Sequence, residues 1–391
     1  MRLKWLEDWF EKIEPKGKWS WLGSTYEAFH TFAFTPKTVT RSGSHIRDAV
    51  DMKRSIIIVV IALIPALLFG MWNIGYQTNL AAGTDWGFWH CFWFGLLRML
   101  PMIVVSYAVG LFIEFAFAQV RHHEVNEGFL ATGLLIPMIV PVTTPLWQLA
   151  LAVAFAVIIG KEVFGGSGMN FLNPALVARA FLFFSYPTHM SGDKVWIAND
   201  LWGSDAIAGA TPMGELAAGM HPSASALDML IGTIPGSTCE TSVIAIALGA
   251  LLLLFTGIAS WRIMLSVFLG GGLMGLFFNL LSIVNCQLST YYLQLPFYYH
   301  FLMGGFAFGA VFMATDPVTA AQTNTGKWIY GLLIGAFAVL LRVCNPAYPE
   351  GMMLSILFMT CMAPLIDHCV VAQNIKRRAK RAAIGKEAHN G

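Results

Sequence analysis

The chain has 391 residues, 57% of them hydrophobic and only 12% charged, with a formal net charge of +2. A soluble domain carries roughly 25% charged residues, so this composition excludes an ordinary soluble enzyme and points to an all-α polytopic membrane protein. There is no Walker loop and no G-x-G-x-x-G turn after a strand, which excludes ATP or NADH binding here, and nothing suggests a nucleic-acid partner.

The start, Met1-Arg-Leu-Lys-Trp-Leu-Glu-Asp-Trp-Phe10, is charged and amphipathic rather than a cleavable signal peptide. Residues 1–54 hold ten Lys/Arg and seven Asp/Glu among Trp5, Trp9, Phe10, Trp19 and Trp21. Such a segment either lies at the membrane interface or docks another subunit. Ten apolar spans follow, near 55–72, 92–118, 127–141, 147–163, 173–187, 242–257, 261–284, 298–315, 328–343 and 350–373. Each is long enough, or nearly so, to cross roughly 30 Å of hydrocarbon. Residues 55–187 form a first group of five spans and 242–373 a second, with a polar loop at 188–241 and a basic tail at 374–391.

Sixteen of the 24 Lys/Arg lie in residues 1–54 and 374–391. Both termini are therefore expected in the cytoplasm, and the loop after the fifth span on the periplasmic side. That loop agrees: Lys194 is its only Lys or Arg, against Asp193, Asp200, Asp205, Glu215, Asp228 and Glu240. The two groups of spans also share landmarks in order. Pro141-Val-Thr143, Trp147, Ala154-Phe-Ala-Val157 and Asn173-Pro-Ala175 recur as Pro317-Val-Thr319, Trp328, Ala336-Phe-Ala-Val339 and Asn345-Pro-Ala347. An odd number of spans per half makes the repeats inverted. Such folds place sites where broken helices meet, and Asn173-Pro174 and Asp316-Pro317 are the expected breaks, with backbone carbonyls freed by the prolines.

Four features carry possible chemistry. Glu114, Asp316 and Asp367 are acids in apolar runs, hence candidates for ion handling or span-end residues. The six cysteines (91, 239, 286, 344, 361, 369) stand singly without C-x-x-C. Most are expected to pack as small apolar side chains, with no metal or iron–sulfur site built by this chain alone. Lys161-Glu-Val-Phe-Gly-Gly-Ser-Gly-Met-Asn-Phe-Leu-Asn173 combines glycines with Asn170 and Asn173. It reads either as a cradle for the edge of a flat ligand or as a tight turn with capping asparagines. In Asp205-Ala-Ile-Ala-Gly-Ala-Thr211, Gly209 and Ala210 leave the Thr211 hydroxyl unobstructed. Thr211 before Pro212 also reads as a helix N-cap.

That last stretch resembles the D-x-x-S/T-G-A-T flavinylation motif, with Ala208 where a hydroxyl residue is usual. Gly160-Lys-Glu-Val-Phe-Gly-Gly, Asn170-Phe-Leu-Asn-Pro-Ala-Leu, Arg179-Ala-Phe-Leu-Phe-Phe, Phe312-Met-Ala-Thr-Asp-Pro-Val and Ala363-Pro-Leu-Ile-Asp join it. Together they resemble the B subunits of sodium-translocating NADH:quinone oxidoreductases, and more distantly the D subunits of Rnf ferredoxin:NAD complexes. The resemblance implies a multi-pass subunit of a bacterial inner-membrane complex that passes electrons to quinone coupled to Na+ export. It implies covalent FMN at Thr211, set there by a flavin transferase, with Asp205, Gly209 and Ala210 in the motif. It implies non-covalent riboflavin near Asn170, Asn173 and Asp316, and a quinone site near Gly110, Glu127, Gly128 and Phe129. Na+ handling falls to Glu114, Asp316 and Asp367. NADH oxidation belongs to a partner subunit. The rival from another class is a small-solute channel of similar inverted repeat, which needs no flavin.

Overall fold

The computed structural model describes residues 12, 26, 40, 42–44, 52–121, 128–193, 195–198, 209–284, 291–345 and 351–390. Among them every regular element is helical. A helix or helical run stands at each of the ten expected spans. In the first group these are α1 (Met52–Ala82), α2 (Phe88–Arg121), α3 (Phe129–Ile139), α4 (Leu146–Gly160) and α5 (Pro174–Ser185). Three short helices follow, α6 (Pro187–Met190), α7 (Pro212–Ala217) and α8 (Ala226–Ile231). The second group has α9 (Val243–Thr256) and α10 (Trp261–Val284), then the short α11 (Tyr291–Gln294). It continues with α12 (Tyr299–Leu302), α13 (Phe306–Phe308), α14 (Asn324–Cys344) and α15 (Gly351–Asn390). Among the described residues six helices are long and apolar enough to cross a membrane, while α3, α5 and α9 are shorter apolar pieces.

The physics of a lipid-facing bundle is clearest in α2. Its buried residues form one stripe, Cys91, Phe94, Gly95, Met99, Met102, Ser106, Gly110, Glu114 and Ala118. Trp93, Leu97, Leu100, Val104 and Phe112 are exposed on the other side. The outward face is apolar too, so the helical period shows in burial and hardly at all in hydrophobicity. Small residues draw the helices together. A Cβ on Gly75 would lie 2.1 Å from the Cys91 carbonyl oxygen, and one on Gly335 would lie 2.0 Å from that of Val267. The first contact closes α1 on α2 and the second α14 on α10. The pairings recur in the two halves: α2 packs on α4 and α4 on α5, as α10 packs on α14 and α14 on α15. Helices α1 and α9 meet across the middle.

Three spans differ from expectation. The first continues through a polar stretch to Ala82, because those side chains find internal partners. Asn73 donates to the Ile234 carbonyl at 3.0 Å, Gln77 to Asn73 Oδ1 at 3.3 Å, and Thr78 to the Ile74 carbonyl at 2.9 Å. The eighth is not one helix. It is α12, a break at Gly304 in the left-handed region (φ +61°), α13, and a π-helical turn over Gly309–Met313. The tenth runs on through the basic tail to Asn390 without interruption, since Lys, Arg and Ala are strong helix formers.

The cysteines need a correction. Cys91 and Cys239 are buried, but Cys344, Cys361 and Cys369 are exposed. The outside of a membrane bundle is itself apolar, so an apolar side chain is not thereby an inside one. Cys286 lies outside the described residues.

Candidate functional sites at two clefts

Helices that end at membrane depth leave carbonyls that water cannot reach. Two buried arginines meet that need. Arg179 on α5 donates to the carbonyl of Ile139, the last residue of α3. Arg342 on α14 donates to the carbonyls of His300 at 2.5 Å and Met303 at 2.9 Å, at the end of α12. A cation at a helix C-terminus also interacts favourably with the helix dipole. Arg179 pairs with Glu240 at 3.2 Å, and both side chains are nearly fully buried. The stretch before α9 is thereby held against the end of α3: the Cys239 N–H donates to the Met138 carbonyl at 3.1 Å, and Thr238 Oγ1 to that of Val140 at 3.1 Å.

The first cleft opens beside this pair. A small cavity of about 100 Å³ is lined by Arg179, Trp196, Thr211, Met213, Glu240 and Gly304, among others. Thr211 is the N-cap of α7, with Pro212 at the first helical position and Oγ1 accepting from the Gly214 N–H at 3.0 Å. The helix-start reading therefore describes the backbone here. It does not compete with esterification. A threonine oxygen has two lone pairs and one hydrogen; a phosphoryl group would replace the hydrogen, and the oxygen would still accept. Gly209 donates to the Asp193 carbonyl at 2.8 Å, and a Cβ on it would fall 2.4 Å from Ile197 Cδ1. The motif glycine therefore packs closely against the end of the Ile197 side chain. Asp205 and Ala208 lie outside the described residues.

The second cleft is larger, a cavity of about 480 Å³ between the two halves. That is within the usual range for small-molecule and cofactor pockets. Asn170, Asn173 and Asp316 all line it, with Gly128, Lys161 and Ser167. The glycine-rich turn that supplies this wall needs left-handed backbone at Gly165 (φ +118°) and Gly168 (φ +93°). Asn170 donates to the Leu172 carbonyl at 2.9 Å and accepts from the Gly168 N–H at 3.3 Å. Asn173 caps α5 by accepting from the Ala175 N–H at 3.0 Å, and its amide donates to Asp316 Oδ2 at 3.4 Å. The capping-turn reading is therefore realised, and the same turn borders the cavity. Ser167 Oγ is buried with no hydrogen-bond partner among the described residues, an unused polar group in the cavity wall.

The three acids have different surroundings. Glu114 is buried and accepts from Lys161 Nζ, so a cation of the chain itself neutralises it. Asp316 accepts from Thr319 Oγ1 at 2.9 Å and from the Val318 N–H at 3.2 Å. Of the carbonyls near the second break, that of Met313, four residues before Pro317, accepts from the Asp316 N–H at 3.3 Å, and that of Pro317 accepts from Gln322 Nε2 at 2.8 Å. Asp367 is half-buried and accepts from the Gln322 and Thr323 N–H groups at 2.6 and 3.0 Å and from Thr323 Oγ1 at 2.5 Å. It tethers α15 to the start of α14. Asp316 thus lines the large cavity, as does Lys161, the partner of Glu114, while Glu114 and Asp367 themselves are absent from its wall.

Gly110 and Phe129 are in direct contact. Phe129 is fully buried, and a Cβ on Gly110 would lie 1.9 Å from its Cζ. Tyr107 OH, one turn earlier, donates to the Leu130 carbonyl at 2.5 Å. Gly128 faces the large cavity, and Glu127 lies outside the described residues. Sequence reasoning missed the bases. Lys161, Arg179, Arg342 and the Arg121–Glu162 pair at 3.1 Å were legible as charges at or inside apolar spans, by the rule that singled out the acids.

Comparison with known proteins places the chain among close relatives. The model of the NQR2, RnfD, RnfE family matches residues 39–376. A protein of Ectopseudomonas mendocina, named as the B subunit of a Na(+)-translocating NADH-quinone reductase, is 49% identical over 96% of this chain and 97% of its own length. Proteins of the same name from Stutzerimonas stutzeri and Azotobacter vinelandii are 48% and 47% identical over the same shares.

Proposed function

The chain belongs to the NQR2, RnfD, RnfE family, and from that premise we propose that it is a membrane subunit of a sodium-translocating NADH:quinone reductase. In this reading it carries FMN esterified to Thr211 and riboflavin in the large cavity, and takes electrons from an NADH-oxidising partner toward quinone. The observation that supports it most is full-length identity near 49% to a protein named for that activity. Bound flavins would supply the redox chemistry; this chain's residues hold and surround them. Thr211 provides the ester oxygen while still capping α7. Asn170, Asn173, Ser167 and Asp316 offer donors and acceptors to a polar ring edge. Gly110 and Phe129 set the width of a quinone site beside Gly128. Asp316 serves the ion in this reading, and Glu114 does so with Lys161 as its standing counter-charge. The direct test is flavin fluorescence of the denatured subunit in a gel. A fluorescent band at this subunit's position supports the reading; a dark one favours the passive solute pore.

Two further outcomes are expected. Alanine at both Asn170 and Asn173 lowers the flavin extractable from the assembled complex and leaves the covalent flavin in place. Extractable flavin at the wild-type level would assign both residues to the turn alone. Charge asymmetry puts the loop that carries Thr211 in the periplasm and both termini in the cytoplasm. A periplasm-dependent reporter fused after Met220 is then active, and one fused at Lys376 silent. The reverse pattern would overturn the orientation.

A further inference from the structure

The large cavity holds one cation beside one anion: among its described lining residues Lys161 is the one base and Asp316 the one acid. Lys161 is itself nearly fully buried. Its backbone is fixed where α4 gives way to the glycine turn, with its carbonyl accepting from the Phe164 and Gly166 N–H groups at 3.3 and 3.1 Å. Its ammonium donates to Glu114 on α2. One cation therefore stands between a buried carboxylate and a cavity.

We propose that Lys161 is the counter-charge for the reduced, anionic form of a flavin held in this cavity, shared with Glu114 so that the redox state of the flavin and the pairing of Glu114 are coupled. The inference rests on the functional reading above. An electron from NADH that arrives at the ring without a proton adds one negative charge to the cavity. Nothing else leaves or enters in that step. Ser167 and the asparagines supply dipoles there, but among the described lining residues only Lys161 supplies positive charge. An opposite charge nearby favours the charged form of a group, and in a low-dielectric site the effect is large. The new charge competes with Glu114 for the same ammonium. Glu114 is then left less compensated, and buried carboxylates need a partner, so a cation is drawn toward it as the flavin is reduced. In this scheme Lys161 is a positioning and charge-balancing residue.

The test is the midpoint potential of the non-covalent flavin in the purified, assembled complex, followed by its absorption during redox titration. Lys161→Met is expected to disfavour the reduced flavin at least tenfold, a fall of about 59 mV for one electron. Lys161→Arg, which keeps the charge, is expected to stay nearer wild type. Glu114→Gln is expected to move the potential the opposite way, upward, because the ammonium is no longer shared. Opposite signs from two partners of one contact are not what a merely structural role produces. Should Lys161→Met fail to assemble, Glu114→Gln decides alone. Wild-type potentials in the variants, or a fall in Glu114→Gln, would overturn the inference with the flavin still bound. A wild-type complex with no extractable flavin would instead overturn the functional reading, and this inference with it.

Discussion

Thr211→Ala yields a subunit without covalent flavin and an assembled complex whose quinone reduction falls to background. The same change removes the N-cap of α7, a loss of about 1 kcal/mol, so the two roles of Thr211 have to be separated. Thr211→Asn does so. Asparagine caps a helix as well as threonine does but has no hydroxyl to esterify; it keeps the fold and loses the flavin. Thr211→Ser keeps the cap and the hydroxyl and restores some of both. If Thr211→Asn retained covalent fluorescence, the acceptor would be another residue. If Thr211→Ala lost only stability, the cap would be the whole of its role.

Arg179→Met is expected to be the most damaging single change to the folded subunit. It leaves Glu240 buried without its 3.2 Å partner and removes the donor to the Ile139 carbonyl. Breaking a buried pair from one side costs about 3–5 kcal/mol. The stretch before α9 then loses its hold on the end of α3, and the cleft beside Thr211 loses part of its wall. Adding Glu240→Gln to Arg179→Met removes the stranded charge and recovers part of the loss. Thermal unfolding of the purified complex measures both. Arg179→Met with wild-type stability would mean that the Ile139 carbonyl and Glu240 find other partners. No gain from the second substitution would mean that the carbonyl, rather than the charge, dominates.

What the sequence made legible follows from how a bilayer selects residues. Long apolar runs report spans directly, and α10 begins and ends at the expected residues. Charge counts give an expected orientation, which the two reporter fusions test. Breaks are harder. Asn173-Pro174 announced itself as a cap, but the interruption at Gly304 and the π-helical turn at Gly309–Met313 sit in sequence as apolar as any span. Burial is hardest. On α2 lipid and core demand the same residue types, so nothing in the hydrophobicity marks Met99 and Gly110 as inward; neighbouring helices decide that. Partners across the chain were invisible for the same reason. Glu114 reads as an isolated acid until the fold brings Lys161, 47 positions later, to it. Asn170, Asn173 and Asp316 were named separately, and only the packing of the two halves makes them the wall of one cavity. Thr211 was the reverse case: its place as a helix cap was readable from Thr211-Pro212 and is what the structure has, and the capping geometry leaves the oxygen able to carry the proposed ester as well.

The central claim is that this chain holds a flavin through one hydroxyl at residue 211. Peptide mass spectrometry of the wild-type subunit, purified from cells that also make the flavin-attaching enzyme, tests it most directly. The proteolytic peptide spanning Thr211 is expected to carry the added mass of FMN less one water, with the bond at Thr211 in fragment spectra. The unmodified mass on that peptide, or the adduct on another residue, would contradict it.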